Sequence, residues 1–287
     1  MAGLEVQRWV AFAADPAGGN PAGVVLDATG ADDAAMLAVA ADLGYSESAF
    51  VVPLSSIEAG GRHVGVRYFS PRAEVPFCGH ATIATAVGLA ARYGVGEWVF
   101  ETQAGAVPVV TRVVDGRVTA TLTSVAPRVV SLEPPDLEAL LAALGWPESD
   151  LDPALPPRLA YAGAWHPVIA AASRERLADL QYDYPALDAL TATHSWTTVQ
   201  LVWRERADLF WSRNPFPPGG IVEDPATGAA AAALGGYLRE LGLVDPPAQF
   251  VIRQGDDLGR PGVLQVDVPA GAERGIDVTG TAVVLPD

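Results

Sequence analysis

Apolar positions along the chain fall into short runs, most of them rich in Val, Ile and aromatics, broken by Gly and Pro. Such runs predict strands at residues 4–13, 22–26, 48–53, 64–70, 107–114 and 117–123 in the first half. In the second half they predict strands at 167–172, 196–204, 208–214, 249–254 and 262–269. Longer Ala- and Leu-rich stretches predict helices at 32–43, 81–93, 137–144 and 227–241. Strands and helices do not alternate as a strict βαβ series, which disfavours a doubly wound nucleotide fold. Neither G-x-G-x-x-G nor a Walker phosphate loop occurs.

A looser repeat is present. "CGHATIATAVGLAARYG" is followed by "ETQAGAVPVV", and "PATGAAAAALGGYLRELG" by "VIRQGDDLGRPGVLQV". Each is a Gly-led, Ala-rich helix and then a strand carrying Gln-x-Gly or Gln-Gly; Gly79 to Gln103 spans 24 positions and Gly228 to Gln254 spans 26. Upstream, "GNPAGVVLD" has a fainter echo in "GAWHPVIAAAS". The expectation is an α+β protein of two pseudo-symmetric lobes, each a curved mixed sheet around a central Ala/Gly-rich helix. Residues 1–125 with 276–287 would form one lobe and 126–275 the other, the seam lying in or just before the Pro-rich stretch 131–158. Small side chains let strands approach a helix closely on every side. The first-turn N–H groups of such a helix have no partner within it. Two helix starts facing each other would therefore favour a small carboxylate.

Composition narrows the partners. A net charge of −16 and the lack of any Lys/Arg-rich run argue against a nucleic-acid groove or an anionic membrane surface. With half its residues hydrophobic and 18% charged, the chain can bury a sizeable core. Its single cysteine cannot form an internal disulfide, which suits a reducing compartment. The opening segment lacks a basic region followed by an apolar one, and no apolar run is long enough to span a membrane. The expected location is the cytoplasm.

Three motifs could carry chemistry. In "GYSESAFV", Glu47 sits among small and apolar residues; shelter from water would raise its pKa towards the working range of a general acid or base. A solvent-facing Glu at a strand start is the alternative. In "FCGHAT", His80 lies at a helix N-terminus that disfavours the imidazolium, and the same field would favour a Cys78 thiolate. A capping His and a buried Cys are the structural alternatives. In "EDPATGAA", Asp224 before Pro225 is pushed towards an extended conformation, and Thr227 can cap the helix with its hydroxyl. His63, His80, His166 and His194 lie far apart without an i, i+4 pair. Zinc would need more thiolates or a clustered His/carboxylate set, so no metal is expected. No G-x-S-x-G elbow offers a serine nucleophile.

"GNPAGVV", "SESAFV", "SPRAEVPFCGHATIATA", "EDPATGAA" and "QGDDLGRPG" occur in the order and spacing of the PhzF-like family, named for the isomerase of phenazine biosynthesis. The chain resembles that family from about residue 5 to residue 285. The resemblance implies a diaminopimelate epimerase-like fold, a site between the lobes, a homodimer, and neither cofactor nor metal. It implies that Glu47 is the catalytic acid/base, with His80 and Asp224 orienting substrate and managing protons. The matching substrate-binding positions are Asn20, Ser46, Cys78, Gly79, Thr227, Gly228 and Ala229. Gly79, Thr227 and Gly228 would lend backbone or hydroxyl groups to a substrate carboxylate.

The chain departs from the pattern at Ala229, where family members commonly carry Ser. A lost hydroxyl contact is typically worth about 0.5–1.5 kcal/mol, which puts the phenazine substrate itself in doubt. The leading expectation is a cofactor-free isomerase that moves a proton within a small carboxylate-bearing metabolite, with Glu47 as general acid/base. Two alternatives stay open: an epimerase pairing Cys78 with Asp224, in the manner of the two cysteines of diaminopimelate epimerase, and a binding protein that kept the scaffold without turnover. Arg67 and Arg213 can pair structural carboxylates or touch ligand, the former being favoured.

Overall fold

In the computed structural model, which describes residues 4–54 and 61–286, the apolar runs become strands wrapped around the two Ala-rich helices. The chain divides into two units, Met1–Thr123 with Val278–Asp287, and Ser124–Asp277.

In the first unit, β1 (Gln7–Ala11) pairs antiparallel with β2 (Asn20–Val25), and Ala11 lies opposite Asn20. Helix α1 (Asp33–Leu43) then carries the chain to β3 (Ser48–Pro53), which runs parallel to β2. Asp32 caps α1, its carboxylate accepting from the Ala35 N–H at 2.8 Å, and Gly44 ends it in the left-handed region at φ 65°. Strand β4 (His63–Phe69) is antiparallel to β3 and to the two-residue β5 (Glu74–Val75). After helix α2 (Gly79–Tyr93) come β6 (Glu97–Thr102), parallel to β4, and the antiparallel pair β7 (Gly105–Val114) and β8 (Arg117–Thr123). The last strand of the chain, β17 (Asp277–Val284), pairs with both β8 and β1 and closes a ring of eight strands.

An eight-stranded ring leaves little more room than side chains need. Helix α2 nevertheless packs against β1, β2, β3, β7 and β8, with every residue from Gly79 to Ala90 buried. Its Ala, Gly and Thr content is what makes that possible.

The second unit contains β9 (Arg128–Ser131), α3 (Pro134–Leu144), β10 (Arg158–Tyr161), β11 (Trp165–Ala170), α4 (Arg174–Ala178) and α5 (Tyr184–His194). It continues with β12 (Gln200–Arg206), β13 (Leu209–Pro215), β14 (Glu223–Asp224), α6 (Gly228–Glu240), β15 (Ala248–Gln254) and β16 (Gly262–Val268). The pairings from β10 to β16 run antiparallel, parallel, antiparallel, then a two-residue strand and a helix, then parallel and antiparallel. That is the succession of β1 to β7, so the repeat read from the two helices extends to the whole connectivity of each unit. Helix α6 packs against β9, β10, β11 and β16. Leu140, Leu144, Leu187, Trp196 and Leu201 form a separate apolar cluster outside it.

Several elements differ from expectation. Strands β6, β9, β10 and β17 lie outside the predicted runs, because Glu, Arg, Thr and Gly dilute their apolar alternation. Helix α5 was also outside them; Asp183 caps it through the Ala186 N–H and Pro185 occupies its first turn, a start signal that needs no apolar stripe. Among the described residues no helix is long and apolar enough to cross a membrane.

The two central helices tolerate added bulk differently. A Cβ at Gly235 of α6 would lie 2.7 Å from Ile276 and 3.1 Å from Val266, whereas one at Gly88 of α2 would rest 3.5 Å from Leu26 and Trp9. Gly235→Ala should therefore cost about 1–3 kcal/mol through overpacking. Gly88→Ala should be neutral or stabilise by up to about 1 kcal/mol through helix propensity. Urea denaturation of both variants checks this, and equal midpoints would contradict the packing described for α6.

Candidate active site

In the first unit, the turn after α1 delivers Ser46 and Glu47 to the start of β3, and the turn after β5 delivers Cys78 and His80 to the start of α2. Glu47, Cys78 and His80 are buried, at 9%, 6% and 3% exposure. The Cys78 thiol donates to Glu47 Oε2 at 3.6 Å and lies 3.3 Å from His80 Nδ1. His80 Nε2 is 3.8 Å from Glu47 Oε2 and 3.5 Å from Ser46 Oγ. Thr82 Oγ1, itself bonded to the Tyr68 hydroxyl at 2.6 Å, donates to the Cys78 carbonyl and braces the helix start.

Burial pushes the Glu47 carboxyl above its ordinary range, outweighing hydrogen bonds from Ser46 and Cys78. Burial pulls the His80 imidazole down to about 3, against a hydrogen bond to the Pro21 carbonyl. At neutral pH His80 is therefore uncharged, and burial makes Glu47 hold its proton more tightly than an exposed carboxyl would. The solvent-facing alternative for Glu47 does not hold. Asn20, next to Pro21, is buried at the start of β2. The Gly79, His80 and Ala81 N–H groups belong to the first turn of α2, where no intrahelical acceptor exists.

In the second unit, Asp224 ends β14 and is 4% exposed, consistent with the extended conformation imposed by Pro225. Thr227 occupies the cap position of α6, but its hydroxyl does not cap the helix. It donates instead to Asp224 Oδ2 at 2.6 Å and accepts from Gln254 Nε2 at 3.0 Å. Capping would need the hydroxyl oxygen to accept a first-turn N–H; the Asp224 carboxylate instead orients the hydroxyl as a donor, and the Gln254 amide takes its acceptor site. Gln254 also donates to the Asp224 carbonyl at 2.7 Å and accepts from the Thr227 N–H at 3.1 Å. Gly255 makes that fit possible: at φ 87°, a Cβ there would lie 2.7 Å from the Pro225 carbonyl oxygen. Gly228 is buried and Ala229 half-buried in the first turn of α6.

The candidate residues thus form two groups, Ser46, Glu47, Cys78 and His80 in one unit and Asp224, Thr227 and Gln254 in the other. Gln254 was missed as a site residue, although its Gln-Gly pair had marked the repeat. Also missed was a buried line in the second unit, His166, Thr198, Asn214 and Ser212, joined by hydrogen bonds of 2.8–2.9 Å. It runs from the strand position that echoes Asn20-Pro21 to the residue paired with Asp224.

The repeat also fixes equivalences. Glu74-Val75-Pro76-Phe77-Cys78-Gly79 matches Glu223-Asp224-Pro225-Ala226-Thr227-Gly228, each opening its central helix after a two-residue strand. Thr227, not Asp224, is thus the counterpart of Cys78, which weakens a pairing of Cys78 with Asp224 as symmetric bases. Arg67 donates to both Glu74 oxygens, at 2.7 and 2.6 Å, and to Asp33 at 2.8 Å. Arg213 likewise grips Glu223, with bonds of 3.0 and 3.1 Å from Nε, and reaches the Ala178 carbonyl at 2.7 Å. Both arginines brace the segment that leads into a central helix.

The class is that of isomerases on the diaminopimelate epimerase type of α+β fold. The profile of the PhzC-PhzF family, described as phenazine biosynthesis-like protein, matches residues 10–287, and the chain belongs to that family. It is 31% identical to the uncharacterized isomerase YfhB of Bacillus subtilis, over 99% of this chain and 97% of that one. It is 31% identical to a trans-2,3-dihydro-3-hydroxyanthranilate isomerase of Pseudomonas fluorescens, over 96% and 95% of the two chains. The crystal structure of a PhzF-family phenazine biosynthesis protein from Bacillus anthracis superposes with a TM-score of 0.86 at 25% identity, covering 100% of this chain and 98% of that one.

Proposed function

We propose that the protein is a cofactor-independent isomerase that moves a proton between carbons of a small carboxylate-bearing metabolite, with Glu47 as the general acid/base. The observation that carries this is the buried Glu47 carboxyl beside Cys78 and an uncharged His80, at the open N-terminus of α2. A single carboxyl can take a proton from one carbon and return it to another on the same face of a conjugated system. The first-turn N–H groups of α2 would hold the substrate carboxylate and offset charge that develops during the transfer. Neutral His80 can donate to or accept from a substrate polar group without bringing a charge into the site. Asp224, held by Thr227 and Gln254, is assigned to managing substrate protonation. The name of the Pseudomonas fluorescens relative supports a cyclic, conjugated carboxylate as the substrate class. Ala229, without a hydroxyl, supports a substrate with one polar contact fewer at that position. A homodimer in the cytoplasm completes the reading.

Incubation with cyclic and aromatic amino or hydroxy carboxylates in deuterated water tests it. Solvent deuterium should enter a carbon-bound position of the recovered compound. Binding without exchange across such a panel would favour a protein that kept the pocket and lost the chemistry.

A further inference from the structure

We propose that Glu47, Cys78 and His80 form a binding site for a thiophilic divalent cation, zinc above all, and that the bound ion blocks the isomerase reaction. The blockade rests on Glu47 being the acid/base; the binding does not.

The three side chains offer one sulfur, one nitrogen and one oxygen, all within 4.8 Å of one another. Cys78 Sγ is 3.6 Å from Glu47 Oε2 and 3.9 Å from His80 Nε2, and His80 Nε2 is 3.8 Å from Glu47 Oε2. A point central to that triangle lies about 2.2 Å from every corner. Zinc takes sulfur at about 2.3 Å, imidazole nitrogen at about 2.0–2.1 Å and carboxylate oxygen at about 2.0–2.2 Å. Cys78 Sγ lies nearer His80 Nδ1, at 3.3 Å, than Nε2, so the imidazole must turn for its lone pair to face an ion shared with the thiolate and the carboxylate, while the donor atoms are already at ligand separations.

Donor chemistry selects the ion. A thiolate in the set disfavours magnesium and calcium, which take oxygen ligands, and favours zinc and its borderline-soft neighbours. Carboxylate and thiolate together balance the charge of a divalent cation, so the occupied site would be neutral and its burial inexpensive. The carboxyl and thiol protons leave as the ion enters. Surrounding contacts support the donors: Thr82 fixes the Cys78 carbonyl, and the Pro21 carbonyl accepts from the His80 ring. Partners of this kind orient ligands in known metal sites. Ser46 Oγ, 3.5 Å from His80 Nε2, stands near enough to orient a water in the fourth position. An ion bound here would occupy the Glu47 lone pairs that proton transfer requires.

Cys78 is the only cysteine of the chain, so a sulfur signal reports on this site alone. Titration of the intact protein with cobalt(II) should produce one equivalent of thiolate-to-metal charge-transfer absorption, and zinc chloride should abolish it by displacement. Cys78→Ala should remove the band. His80→Ala should weaken zinc by at least about a hundredfold, beyond the 10–100-fold typical of losing an outer partner. His63→Ala, at the surface beside Glu101, should leave binding unchanged. Zinc should also stop solvent-deuterium exchange, and EDTA should restore it. Absence of the band with exchange intact would overturn the metal site alone. A band accompanied by undiminished exchange would overturn the blockade and, with it, Glu47 as the acid/base.

Discussion

Glu47→Gln should yield a folded protein whose turnover falls by about 10²–10⁴-fold, the usual worth of a positioned acid/base group. The amide has nearly the shape of the carboxyl and keeps a hydrogen-bonding oxygen for Cys78, so the packing around it has no reason to change. It cannot carry the proton. Stability separates this outcome from simple damage. Burial raises the folded-state pKa of Glu47 above its unfolded value, so the stability linked to its protonated form is complete below the unfolded pKa. That stability is lost as pH rises through the folded pKa. The glutamine variant has no charge to bury, so it should match the parent near pH 4 and gain on it towards pH 8. Urea midpoints at the two pH values, with deuterium incorporation into substrate, measure both effects. Turnover retained in a folded variant would end the assignment.

Arg213→Ala should be the most destabilising single change at either helix entrance, by about 3–5 kcal/mol. Glu223 is its partner, with a side chain only 1% exposed, and the substitution leaves that carboxylate buried without its counter-charge. The equivalent Arg67→Ala should cost less, about 1 kcal/mol, because Arg67 is 30% exposed and its partners Glu74 and Asp33 are 19% and 80% exposed, so the carboxylates left behind keep access to water. Replacing Arg213 and Glu223 together with Met and Leu should recover much of the loss, since the stranded charge would be gone. Chemical denaturation of all four proteins decides the matter. Equal costs at Arg67 and Arg213 would show that burial is not what distinguishes the two pairs.

What could be read in advance follows from how far each signal reaches along the chain. The Ala-rich helices declared themselves locally, and their small residues implied strands on every side, as α2 shows. Strands β6 and β17 did not, because their partners, rather than their own apolar content, hold them in place. Glu47, Cys78 and His80 were each visible as candidates, yet 31 residues separate Glu47 from Cys78, and nothing in that spacing announces three ligand atoms within 4.8 Å. The parallel pairing of β2 with β3 and the insertion of α2 bring them together. The hydroxyl of Thr227 was misread for a related reason. Cap propensity is a local preference, and the Thr227 hydroxyl is instead turned to donate to Asp224 while its oxygen accepts from Gln254, a partner 27 residues away. Gln254 had no local signature beyond its place in the repeat.

The path of β17 has a consequence for how the molecule is made. The first unit opens with β1, yet its ring closes only when Asp277–Val284 slots between β1 and β8. Every strand of the second unit is already present by Val268. During synthesis, the unit that starts before the other is therefore completed after it, and the margins of β1 and β8 stay unpaired until β17 has emerged.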